Sequence, residues 1–120
     1  MKKAFVHDAV LQFDVAGDDA APGAAITTAL CGSWQHDGPC PLAPHHTSAF
    51  RDSSELVVRV IFATEPESEL RVRSLIVEAL AAGRPAGTDE QPGSWRLLRH
   101  SVGVLDRQER PHAARLALNG

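Results

Sequence analysis

Apolar and polar residues alternate from the first residues of the chain. Phe5, His7, Ala9, Leu11, Phe13 and Val15 fall on one side of a period-two pattern; Val6, Asp8, Val10, Gln12 and Asp14 fall on the other. That alternation predicts a strand over about 4–15. Ala16 to Gly23 is rich in turn formers and predicts a loop. Ile26, Thr28 and Leu30 again alternate, which predicts a second strand over about 24–33. Paired as a hairpin, the two strands would set Phe13 opposite Ile26, Ala9 opposite Leu30 and His7 opposite Gly32, apolar residue facing apolar residue.

The run Leu56-Val-Val-Arg-Val-Ile-Phe62 predicts a third strand over 55–63. Leu56, Val58, Val60 and Phe62 would face the core, while Val57, Ile61 and Ala63 make the other face unusually apolar. A helix is expected over 64–82, opened by a Thr64-x-x-Glu67 capping box with Pro66 in its first turn. Val72, Leu75, Ile76, Ala79 and Leu80 recur at helical spacing, and Gly83 is placed as the residue just past the helix end. A loop over 84–94, a fourth strand over 95–104 and a short helix over 110–118 complete the chain. Trp34 and Trp95 are read as loop or core anchors.

The expected order is therefore β-β-β-α-β-α, a two-layer α+β domain with helices on one face of an antiparallel sheet. Residues 1–120 suit a single domain. Within it lies a long irregular segment over 32–54, broken by Pro39, Pro41 and Pro44.

That segment changes the picture. Both cysteines and three of the six histidines fall between residues 31 and 46: Cys31, His36, Cys40, His45 and His46. Thiolates and imidazoles suit tetrahedral zinc at about 2.0–2.3 Å. Adjacent residues of an extended chain point apart, so one of His45 and His46 would ligate beside Cys31, His36 and Cys40. Asp37 could hold an imidazole from outside the shell. The C-x4-H-x3-C-x4-H-H spacing matches no specific zinc motif. The same residues are open to two plainer readings, a Cys31–Cys40 disulfide and an exposed polar loop. The hairpin register brings His7 beside this cluster. His7 and His46 are thus candidate acid/base groups for a small metal-dependent hydrolase or lyase, while a core histidine satisfied by a backbone carbonyl is the ordinary reading of His7.

Composition removes other classes. A net charge of −3 with scattered basic residues leaves no nucleic-acid footprint. No apolar stretch approaches a membrane span. No phosphate loop or nucleophile elbow is present. Asp8, Asp14, Glu78 and Asp106 lie on or beside predicted elements and read as solvated charge. His7 and Asp8 interrupt any leader-like run after Met1-Lys2-Lys3, so a cytoplasmic protein with reduced thiols is expected. The expectations are a small domain with a structural or accessory zinc site, a small metalloenzyme, or a metal-free module that forms a homodimer through the apolar outer face of the third strand.

Overall fold

A computed structural model describes residues 2–13, 19–31 (the backbone only of Cys31), 43–83 and 95–118. The elements are β1 (Lys3–Phe13), α1 (Ala21–Cys31), β2 (His45–Asp52), β3 (Glu55–Thr64), a 3-10 turn (Pro66–Ser68), α2 (Glu69–Ala81), β4 (Trp95–Gly103) and α3 (Arg110–Leu118). The four strands form one sheet in the order β2-β3-β1-β4, and every pairing is antiparallel. The α+β class with an antiparallel sheet is as expected. The order β-α-β-β-α-β, with the chain's first and third strands central, is the split β-α-β or ferredoxin-like arrangement, here extended by α3. No helix among the described residues is long and apolar enough to cross a membrane.

Two elements differ from the expectation. Residues 24–33 do not form a strand; Ala21–Cys31 is a helix. Its buried residues are Ala21, Ala25, Ile26 and Leu30, spaced as a helical stripe rather than an alternation. Pro22 suits the first turn, alanine favours helix, and Thr28 returns its hydroxyl to the Ala24 carbonyl at 3.1 Å. The hairpin register that set His7 opposite Gly32 is therefore replaced: β1 pairs with β3 and β4, with His7 opposite Val60 and Val102.

The second difference is β2, a strand inside the segment expected to be irregular. It lies at the sheet edge, so few of its residues need be apolar. A two-residue turn joins it to β3, with Ser53 at φ 56°. Glycine or asparagine usually takes such a position, so the turn lacks its ordinary marks.

α1 and α2 cover one face of the sheet. Leu11 and Phe13 of β1, with Leu56, Val58 and Phe62 of β3, pack there against Ile26, Leu30, Val72, Ile76 and Leu80. Trp95 joins this core and donates its indole N–H to the Leu80 carbonyl at 2.8 Å. α2 ends where expected. Gly83 takes φ +75°, and a Cβ there would lie 2.5 Å from the Trp95 carbonyl oxygen, so neither its conformation nor its space admits a side chain. The helix start is simpler than the expected capping box. Thr64 is the buried last residue of β3, the 3-10 turn intervenes, and Ser68 at the N-cap makes no side-chain hydrogen bond to the helix.

α3 lies on the opposite face, not beside the other helices. Ala113 and Leu116 pack with Leu105 on Val6, Ile61 and Ala4. Its start is a capping box: Asp106 Oδ1 accepts the Glu109 N–H at 2.9 Å, and Glu109 Oε1 accepts the Asp106 N–H at 3.0 Å. Arg59 fixes its position, giving two bonds to Asp8 at 2.9 and 3.0 Å and two to Glu109 at 2.8 and 2.7 Å. These bonds hold the Glu109 carboxyl well down, at about 2. Ile61 and Ala63, expected on an open face, are thus covered, at 5% and 0% exposure.

Candidate functional site

The most developed polar cluster lies where β1, β4 and α2 meet. His7 is buried, at 4% exposure, on the helix-covered face. The strand period sends it there with Phe5 and Ala9, its neighbours in the hydrophobic pattern. Arg73 reaches it from α2. Its Nη1 donates to the Val6 carbonyl at 2.7 Å and to His7 Nδ1 at 2.9 Å, and its Nε donates to Glu69 at 2.8 Å, one helical turn earlier. The Arg73 guanidinium carbon also lies 5.3 Å from the centre of the Phe62 ring. Past His7, the Nε2 of that ring is 3.0 Å from His100 Nδ1, and the two rings stack with centroids 5.1 Å apart.

The direction of this chain follows from Arg73. A guanidinium only donates, so His7 Nδ1 accepts and its proton sits on Nε2. That proton is donated to His100 Nδ1, which leaves a neutral His100 protonated on Nε2. Burial, reinforced by the Arg73 charge, lowers His7 from 6.5 to about 4. His7 is therefore neutral near pH 7, as the bonding requires. It is a buried histidine, as the ordinary reading has it, but its partners are two side chains rather than a backbone carbonyl.

His100 reaches this position through a bulge. β4 pairs Val10 with Arg99 and Leu11 with Leu97, so Leu98 is an extra residue in the ladder. A bulge re-aims side chains, and here it sets His100 opposite Ala9, on the same face as His7. The two histidines line an open pocket of about 550 Å³ with Leu70, Ser74, Val77 and Glu78. A second cavity of about 480 Å³ lies between the start of α1 and β2. Thr47, which lines it, has a buried hydroxyl without a hydrogen-bond partner.

The expected Cys/His cluster is only partly described. His36, Cys40 and the Cys31 side chain lie outside the described residues, as does the Cys31–Cys40 pairing. His45 and His46 sit side by side on β2 and face opposite ways. His45 lies on the α1 side, where its Nδ1 donates to the Ala43 carbonyl at 3.0 Å and Thr27 Oγ1 bonds its Nε2 at 3.0 Å. His46 lies on the α3 side, its ring edge-on to His112 with centroids 4.9 Å apart. Adjacent histidines do point apart, as expected. His7 is not beside them, because β3 separates β1 from β2, a span of roughly 10 Å. Among the described residues, no group of three or more His, Cys, Asp or Glu is disposed to hold a metal ion.

Among the described residues, nothing packs over the rest of the second face. Phe50, Val57 and Val10 form one row across the strands, ending at Arg99. Phe50 is 69% exposed and Val57 37%. The next row runs Asp52, Glu55, Gln12, Arg96, acidic at one edge and basic at the other. Comparison of the chain with protein-family models, curated proteins and solved structures gives no match.

Proposed function

We propose that this protein is an interaction module that works as a homodimer, joined through the bare half of its second sheet face. The observation that carries the reading is the Phe50–Val57–Val10 row, an apolar strip left open beside the half that α3 covers. The flanking charges support a second copy as the partner. A two-fold axis parallel to the strands lays the β2 edge of one copy over the β4 edge of the other. By the strand register Asp52 then opposes Arg96 and Val57 opposes Val10, while Phe50 lies against Arg99. An axis across the strands sets like charge on like. Closed two-fold interfaces are self-complementary in this way. Light scattering after size exclusion tests the reading: a dimer is expected, with Phe50→Glu a folded monomer. A wild-type monomer at millimolar concentration overturns it.

A second reading keeps the expected zinc, in a structural role and in a compartment that leaves the thiols reduced. What supports it is the Thr27–His45 bond, which brings His45 to within one helical turn of Cys31. Cys31, His36 and Cys40 would hold the ion, with His45 as fourth ligand once it gives up Thr27. The opposite placement of His46 argues for His45 over its neighbour. Elemental analysis of untagged protein with a thiol count tests it. About one zinc per chain is expected, and metal-free protein with both thiols free rejects it.

A further inference from the structure

The His7–His100 pocket belongs to neither reading above. His100, Glu78 and Ser74 are exposed side chains on its wall, while His7 and Arg73 are buried beneath. Arg73, which also lines the pocket, spends three of its five N–H donors on Val6, His7 and Glu69. Its effect reaches the pocket through the two rings. With His7 held as an acceptor toward Arg73 and a donor toward His100, the lone pair of His100 Nδ1 is taken. The outer nitrogen of His100 then offers an N–H and no lone pair. His100 cannot act there as a base, but it can donate to an oxygen, as neutral imidazoles polarise carbonyls in other sites.

The pocket's remaining groups narrow the ligand further. Leu70, 77% exposed, and Val77 give an apolar wall. Glu78 places an exposed carboxylate on that wall. The Arg73 charge is matched by Glu69, and Glu78 adds a carboxylate to the pocket wall. An acceptor oxygen suits His100, an ammonium group suits Glu78, and a short apolar body suits the wall between them. The volume lies in the range of small-molecule sites.

We propose that this pocket binds a small primary amine that carries a carbonyl oxygen and an apolar side chain, the chemistry of an amino-acid amide or the free amino end of a peptide. His100 donates to the carbonyl, Glu78 pairs with the ammonium, and Leu70 and Val77 hold the side chain. Arg73 and His7 are positioning residues that fix which nitrogen of His100 carries its proton.

Leucinamide is the probe, titrated into the full-length protein and followed by 15N–1H NMR. Saturable shifts at Ser74, Glu78 and His100 are expected. His100→Phe and Glu78→Gln should each weaken binding about tenfold, with amide shifts confined to the pocket and, for His100→Phe, to the neighbours of His7. Isopentylamine, which lacks the carbonyl, should bind about tenfold more weakly to the wild type and no more weakly still to His100→Phe. Long-range 15N couplings of the rings should show Nε2–H on both histidines, and Arg73→Met should mix the tautomers of His100. No saturation by 50 mM leucinamide, or binding indifferent to both His100→Phe and Glu78→Gln, overturns the proposal. So does an Nδ1–H tautomer at His100 in the wild type.

Discussion

The two faces of this sheet solve the same problem differently. The face under α1 and α2 is sealed with hydrocarbon: Phe13, Phe62, Leu11 and Leu56 are at most 2% exposed, and the buried Arg73 is bonded to three acceptors. The face under α3 is sealed over half its length, and a bidentate arginine marks the boundary. Beyond Arg59 the apolar row continues with none of the described residues above it. Burial of area drives the first face, whereas a few directional bonds dock a short helix on the second. A nine-residue helix is marginal by itself, so α3 depends on its capping box and on Arg59 more than α2 depends on its own ends.

The largest expected contrast is between two phenylalanines. Phe62→Ala should cost about 3–5 kcal/mol in urea unfolding, the loss of a fully buried ring. Phe50→Ala on the bare row should stay within about 0.5 kcal/mol for the monomer. Equal losses would break the distinction between the faces.

Arg73→Met comes next, at about 2–4 kcal/mol, because Glu69 and the Val6 carbonyl lose a buried partner. The pH dependence tests the same cluster. His7 titrates near 4 folded and near 6.5 unfolded. Above about pH 6.5 it is neutral in both states and contributes nothing to the slope. As pH falls from 6.5 toward 4 the unfolded chain takes the proton first, and stability drops by up to roughly 3 kcal/mol. Denaturation across that window should show the slope in wild type and its loss in His7→Gln. A flat wild-type profile would contradict the buried neutral ring.

The smallest effect belongs to the second face. Arg59→Met should cost about 1–2 kcal/mol, since its partners are partly exposed and water replaces much of the bond. Its signature is local: α3 amides should exchange with solvent faster while β1 and β3 amides hold. The Glu109 carboxyl should rise from about 2 toward its ordinary 4.5. Uniform loss of protection instead would show that α3 is integral to the main core.

How much of this was legible follows from what each residue answers to. β1, β3, α2, β4 and α3 announce themselves because their periodicity matches the face they bury. Residues 21–31 do not: Ile26, Thr28 and Leu30 satisfy a strand pattern, while Ala21, Ala25, Ile26 and Leu30 satisfy a helical one, and only packing chooses between them. β2 is silent because an edge strand needs few apolar residues. His7 could be singled out, but its partners could not. Arg73 looks like a solvent-facing charge until α2 is laid on the sheet, although the Glu69–Arg73 spacing was visible. His100 depends on one extra residue in the ladder, which no local pattern announces.

That extra residue has a further consequence. β4 is an outer strand, and an outer strand offers a free row of amide and carbonyl groups to any other chain. The irregularity at Leu98, with Arg96 and Arg99 beside it, spoils the flat ruler that a second edge would need. Copies of this protein are thereby discouraged from adding strand to strand at the β4 edge.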